Sequence, residues 1–257
     1  MYRRIVFLGL GGSGGKTLRF LKRDLSNWLN AHDWPVADRG IPRGFQFLHI
    51  DTPTVADGVS MGGADMLPDR EYLGLVGAGV NFAAVTSELD NRSGVMYEQA
   101  GWRVPVAALD VPIGAGAGAF RAVGRTIAAA QINTMREGIQ GLINRVNSPS
   151  AIADNSELWT LTQNGAQAGN VSNPIVVVIS SLAGGTGAGL LLDVFDILRS
   201  LEPTWGGDSF GILYTPEVFR SIGGGMMGGI QPNSLAAISE ILNGYYWHGS
   251  DDNRGAG

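Results

Sequence analysis

The chain contains no cysteine. Disulfides, thiolate metal sites and cysteine nucleophiles are excluded together. Histidine is scarce: His32, His49 and His248 stand far apart and offer no metal-ligand spacing. Charged residues make up only 16% of the 257 positions, and the net charge is −5. No basic stripe runs along the sequence, so nucleic acid is not expected as a partner. No apolar run is long and unbroken enough to cross a bilayer. The most apolar stretch, Ile175–Phe195, is interrupted by Ser, Thr and four glycines. The N-terminus leads directly into a strand pattern and lacks the shape of a signal peptide. These absences point to a cytoplasmic protein with no membrane insertion.

Glycine is what the chain has in excess, at 39 residues. The glycines cluster instead of repeating, which excludes a collagen-like chain, and 44% apolar residues support a sizeable core. Arg3–Leu10 reads as a buried strand, because Ile5 to Leu8 form an unbroken apolar run. Leu18, Leu21, Leu25, Trp28 and Leu29 recur at helical spacing and predict a helix over Lys16–His32. Phe45–Ile50 reads as a second strand ending at Asp51. Gly58–Val111 has no clear period; short helices and loops are expected there, with a short strand at Val104–Leu109. One long helix is predicted from Phe120 to about Val146. Ser148–Asn173 reads as polar and turn-rich, with a short element at Leu158–Leu161. Ile175–Ser181 is a strand, Gly189–Leu201 a helix stopped by Pro203, and Phe210–Tyr214 a further strand. A flexible stretch at Ser221–Gly229 precedes a short helix that Pro232 opens and Leu242 closes, and Asp251–Gly257 has no pattern. Trp28 and Trp102 read as packing residues. Alternating strand and helix imply a three-layer, doubly wound, mainly parallel sheet of the α/β class.

Two glycine-rich segments stand between a strand and a helix, and a third lies between those two. They are Gly9–Gly15 (Gly-Leu-Gly-Gly-Ser-Gly-Gly), Gly114–Gly118 (Gly-Ala-Gly-Ala-Gly) and Ala183–Gly189 (Ala-Gly-Gly-Thr-Gly-Ala-Gly). Such segments turn backbone N–H groups outward at a helix start, where the helix dipole favours negative charge. In a doubly wound sheet they share the edge where ligands bind. An extended anion such as a nucleotide polyphosphate is the implied ligand. The first segment also satisfies the dinucleotide fingerprint as Gly9-x-Gly11-x-x-Gly14, but the acid expected about 20 residues later is met only by the more distant Asp51. Gly15-Lys16-Thr17 has the ending of a P-loop, with Leu10 where that motif needs glycine. From the residues alone the reading stops at a polyphosphate nucleotide.

Gly184-Gly-Thr-Gly-Ala-Gly189, with a strand before and a helix after, resembles the signature loop of the tubulin and FtsZ superfamily of GTPases, G-G-G-T-G-[ST]-G. Ala183 and Ala188 replace the first Gly and the Ser/Thr. Gly9–Gly15 is similar to that family's first phosphate loop. His49-Ile-Asp-Thr-Pro-Thr-Val55 is similar to the tubulin stretch V-D-L-E-P-T-V, one residue shorter and without the glutamate. Gly114–Arg125 is similar to G-L-G-A-G-A-N-P-E-I-G-R of FtsZ and looks closest to bacterial tubulin-like proteins outside FtsZ proper. Tyr214-Thr-Pro216 and Gln231-Pro-Asn233 are similar to the ribose loop and the E-P-Y-N helix start of tubulin.

The resemblance implies GTP or GDP with Mg²⁺ as ligands and self-association into head-to-tail filaments whose stability follows the nucleotide. It implies phosphate binding at Gly11, Gly12, Ser13 and Gly14, at Gly116, Ala117 and Gly118, and at Gly184, Gly185, Thr186, Gly187, Ala188 and Gly189. Arg121 is a further candidate to reach phosphate, and Arg125 reads as solvated or ion-paired. Asp51 is the candidate to face Mg²⁺ through water, or else an Asx-turn cap on its strand. Lys16, Glu217, Gln231 and Asn233 are candidates at the ribose or base. The resemblance reads residues 1–257 as a GTP-binding domain truncated before the central helix and C-terminal domain, so that no catalytic residue is named and little or no hydrolysis is expected from this chain alone. An NAD-dependent oxidoreductase and a non-hydrolysing tubulin-like assembly module are the alternative readings.

Overall fold

The computed structural model describes residues 1–56, 58, 62–90, 113–163, 173–201, 208–219 and 227–251. Strand β1 (Ile5–Leu10) leads into α1 (Gly11–Ala31), the short α2 (Val36–Arg39) and β2 (Phe45–Asp51). Next come β3 (Tyr72–Gly74), α3 (Phe82–Asp90), α4 (Arg121–Ala130), α5 (Ile132–Val146) and α6 (Pro149–Thr162). The chain continues through β4 (Ile175–Ser181), α7 (Gly185–Leu201), β5 (Ser209–Tyr214) and α8 (Met227–Asp251). The five strands form one sheet in the order β3-β2-β1-β4-β5, and every described pair is parallel. This is the expected doubly wound α/β sheet in three layers.

Strand periodicity divides the core in two. Val6, Leu8 and Leu10 of β1, Leu48 and Ile50 of β2, and Val176 and Val178 of β4 point to the face covered by α4, α5 and α7. Phe47, Val177 and Ile179 point the other way and meet Leu18 of α1. A smaller cluster of Leu29, Trp34 and Leu158 closes the end of the molecule away from the strand carboxyl termini. Each such fully buried side chain contributes about 1.5–3 kcal/mol.

Several elements differ from expectation, each for a physical reason. The predicted helix over 120–146 is two helices, because Gln131 leaves helical geometry at φ −108° and ψ 21°. Ile127 and Met135 are eight residues apart, which on one straight helix puts them about 80° out of phase. The break at Gln131 brings both into one core. Residues 164–172 lie outside the described residues, and over 149–162 the turn-rich reading gives way to α6. Ser148 caps it by accepting from the Ala151 N–H at 3.2 Å, and Pro149 occupies its first turn. Its buried face carries Asp154 and Asn155 beside Ala151 and Leu158, so no apolar stripe marked it. α8 begins at Met227, and Pro232 lies inside it instead of opening it. Strand β3 is three residues long and was missed. The strand expected at Val104–Leu109, and Trp102, lie outside the described residues. Trp28 packs edge-on against Tyr2, with ring centroids 6.1 Å apart.

Two of the three glycine segments are not loops ahead of their helices: α1 starts at Gly11 and α7 at Gly185, so their glycines fall largely in the opening turns, whereas 116–118 precedes α4 outside any helix. First-turn N–H groups have no partner within the helix. The segment order thus aims two rows of such groups past the carboxyl ends of β1 and β4, which are neighbours in the sheet.

Candidate functional site

A cavity of about 440 Å³ lies at this edge, within the usual range of about 300–1,000 Å³ for small-molecule sites. Three backbone walls surround it. Gly11, Gly12 and Ser13 form one, Gly184, Gly185, Thr186 and Gly187 the second, and Gly116, Ala117 and Gly118 the third. Lys16 and Asp51 supply the charged side chains of the lining. The first two walls touch. Gly11 has φ +66°, and a Cβ there would come within 2.9 Å of the Gly187 nitrogen. The second and third walls are joined directly, the Gly185 N–H donating to Gly118 O at 2.7 Å. A Cβ on Gly185 would stand 2.7 Å from Ala117 O, so only glycine permits that approach.

The cavity therefore collects most of the residues predicted to bind phosphate, but not all. Gly14 is packed beneath its turn, where a Cβ would meet Ile179 O at 2.5 Å. Ala188 is 1% exposed. A Cβ on Gly189 would strike the backbone of Gly124 and Arg125 in α4. These three shape the helix starts and do not line the cavity. Gly185 lines it, yet its N–H is engaged by Gly118.

Thr52 is the hub that sequence reasoning missed. It is fully buried, and its hydroxyl lies 2.6 Å from the Thr186 hydroxyl. It accepts from the Ala117 N–H at 3.3 Å and lies 3.3 Å from Asp51 Oδ1. One threonine thus joins the end of β2 to the second and third walls. The Thr186 hydroxyl is turned inward to Thr52, while the residue still lines the cavity. Asp51 Oδ1 accepts from the Thr52 N–H at 2.7 Å, while the carboxylate still lines the cavity. The carboxylate bonds the N–H of the next residue and not the one two residues on, so it does not close the expected Asx-turn. His49 Nε2 lies 3.0 Å from Gly11 O. A carbonyl can only accept, so that nitrogen carries a proton. The same nitrogen lies 3.4 Å from Asp51 Oδ2. Tyr72 donates to Pro53 O at 2.6 Å, and burial, then the Asp51 charge, push its phenol well above its usual range. Leu10, Pro53, Val55 and Ser181 also line the cavity. Leu10 and Ser181 adjoin the glycine segments, and Pro53 and Val55 belong to the His49–Val55 stretch.

Arg121 does not face the cavity as a phosphate ligand. It grips Glu240 of α8 through two hydrogen bonds of 2.8 and 2.6 Å, and its Nε donates to Ala188 O at 3.2 Å. Arg125 pairs with the same carboxylate at 2.7 Å, as the ion-paired reading expected. Beside them on α7, burial pushes the Asp193 carboxyl up to about 6, with Arg125 opposing. Asp193 Oδ2 has no hydrogen-bond partner among the described residues. Glu217, Gln231 and Asn233 lie outside the cavity lining. Asn233 is buried and donates to Ala119 O at 2.7 Å and to Ala183 O at 2.9 Å. Of the four ribose or base candidates, only Lys16 lines the cavity.

Among the described residues no helix is long and apolar enough to cross a membrane. A family model described as tubulin-like matches residues 6–256. In structure the chain is similar to CetZ from Methanosaeta thermophila, with a TM-score of 0.50 and 13% identity. The match covers 94% of this chain and 43% of that one, so the chain spans less than half the length of that protein. At this identity the likeness shows the fold. No curated protein matches the sequence.

Proposed function

We propose, from the premise that this chain belongs to the tubulin-like family, that its cavity holds the polyphosphate of GTP or GDP with Mg²⁺, and that copies stack head to tail in the cytoplasm. The three-walled cavity carries this reading. Two long helices, α1 of 21 residues and α7 of 17, begin at its rim. Their positive ends and unpaired N–H groups favour an anion. One phosphate would engage one wall; three walls suit a chain of phosphates. A dinucleotide of the NAD type would use the first wall alone, which leaves the second and third unexplained.

Mg²⁺ fits this lining. It usually takes one or two carboxylates with phosphate oxygens and water, and Asp51 is the carboxylate among the described lining residues. Among the described residues no cluster of three or more metal-ligating side chains stands ready. The ion would therefore arrive with the nucleotide, and Asp51 would meet it through water. We expect little or no hydrolysis by this chain alone. Turnover would need groups from a stacked neighbour, and such heterologous contacts extend into filaments because they do not close.

Thermal unfolding with Mg²⁺ and GTP, GDP, ATP or NAD tests the reading. A ligand at 100 times its dissociation constant adds about 2.7 kcal/mol. Stabilisation by GTP and GDP alone is the expected result. Equal stabilisation by ATP would keep the phosphate site and remove guanine specificity. Stabilisation by NAD alone would overturn the proposal.

A further inference from the structure

Asn233 lies on α8, outside the cavity, yet it holds two of the cavity walls. Its side-chain amide is buried, and Nδ2 donates to Ala119 O at 2.7 Å and to Ala183 O at 2.9 Å. Ala119 follows the Gly116–Gly118 wall directly, and Ala183 immediately precedes Gly184 of the second wall. The orientation is dictated by chemistry: a flipped amide would set its oxygen against two carbonyls, none of which can donate. The walls are otherwise joined by the Gly185–Gly118 backbone bond and by the Thr52 hydroxyl. α8 is anchored separately, through Glu240 to Arg121 and Arg125.

We propose that Asn233 is a positioning residue for the cavity, fixing the spacing of the second and third walls so that they act as one cradle. This rests on the reading of the cavity as a polyphosphate site. It predicts a specific pattern. A ligand bridging the two walls should feel the loss of Asn233, and one touching a single wall should not.

The test is the affinity of the whole chain for GMP, GDP and GTP with Mg²⁺, in wild type, N233A, N233D and E240Q. In both Asn233 variants GTP affinity should fall on the order of tenfold, GDP less, and GMP little. E240Q, which loosens α8 without touching the carbonyls of Ala119 and Ala183, should lower thermal stability and leave the phosphate series unchanged. A uniform loss across the three nucleotides in the Asn233 variants would overturn the proposal, as would the same phosphate-dependent loss in E240Q. If the variants do not fold, the wild-type side-chain amide protons of Asn233 decide. They should exchange slowly, and more slowly still with GTP; fast exchange unaffected by GTP overturns the inference. A wild type that binds no nucleotide overturns the functional reading itself. A wild type that binds, with variants that match it, overturns only the role of Asn233.

Discussion

At the start of α1, Gly12 is exposed, and a Cβ built on it would touch nothing within 4 Å; Gly184, just ahead of α7, is open in the same way. Behind these two positions the turns are seated differently. The α1 turn rests on the sheet, with Gly14 against Ile179 O and Gly15 against the His49 ring. The α7 turn is seated largely on another segment, with Gly185 against Ala117 and Gly118, and Gly189 against Gly124. Glycine thus leaves one position of each turn open to the cavity and serves close packing at the others. The sheet fixes the first wall whatever the ligand does. The second wall touches the sheet at Gly187 but leans for the rest on the 113–120 segment, α4 and α8. Ligand-dependent movement should therefore concentrate on the α7 side.

Filling the packed side is the most severe way to break this comparison. Gly185→Val would drive methyl groups into Ala117 O and Gly118 O. We expect a loss above about 3 kcal/mol, read from urea unfolding. Gly187 is closed in the same way, since a Cβ there would meet Ser180 Oγ at 2.7 Å and Leu10 O at 3.1 Å. Full stability in Gly185→Val would show that the two walls do not touch as described.

Asp193 sharpens the same contrast from deeper in α7. Burial raises its folded pKa from 3.8 to about 6. The charged form is thus disfavoured in the folded state, and stability falls as pH rises through the window from about 4 to about 6. At neutral pH the deficit is about 3 kcal/mol. Asp193→Asn should recover most of it at pH about 7.5 and little at pH about 4.5. A difference between wild type and variant that is the same at both pH values would remove the buried carboxylate from the account.

The open glycines give the opposite signature. Gly12→Val and Gly184→Ala place carbon in the cavity with no backbone in the way. GTP affinity should drop by about tenfold or more while unfolding free energy changes by less than about 0.5 kcal/mol. A stability loss without an affinity loss would mean that these glycines, too, serve packing.

How much of this was legible in the sequence depended on the kind of signal. Strands β1 and β4 were legible because Ile5–Leu10 and Ile175–Ser181 are nearly unbroken apolar runs, while the three-residue β3 is too short to show one. The edge of the sheet that carries the site was legible from the two glycine clusters that follow β1 and β4. α6 was not, because its inward face uses Asp154 and Asn155, whose partners Arg43, Tyr2 and Arg3 are more than a hundred residues away. The division of labour among glycines was invisible for a related reason: Gly12 and Gly14 are the same letter, and only the position of Ile179 O separates their roles. Thr52 was hidden because its three partners, Asp51, Ala117 and Thr186, come from three separate segments. Arg121 was misread because Glu240 claims it from 119 residues away.

The smallest expected effect concerns Lys16, the cationic side chain of the described cavity lining. It belongs to the α1 side; the α7 side offers backbone alone. Lys16 is exposed, so salt screens its pull on a bound phosphate. Lys16→Gln should weaken GTP binding only several-fold, on the order of 0.5–1 kcal/mol, near the ceiling for an exposed charge. The sharper readout is the dependence of affinity on salt. If Lys16 meets the phosphates, the variant should show a shallower decline in affinity between low and high salt. If the slope is unchanged, Lys16 is a solvated surface residue. Both walls would then hold their anion by helix ends and N–H groups alone, and the contrast between them would reduce to what each turn is seated on.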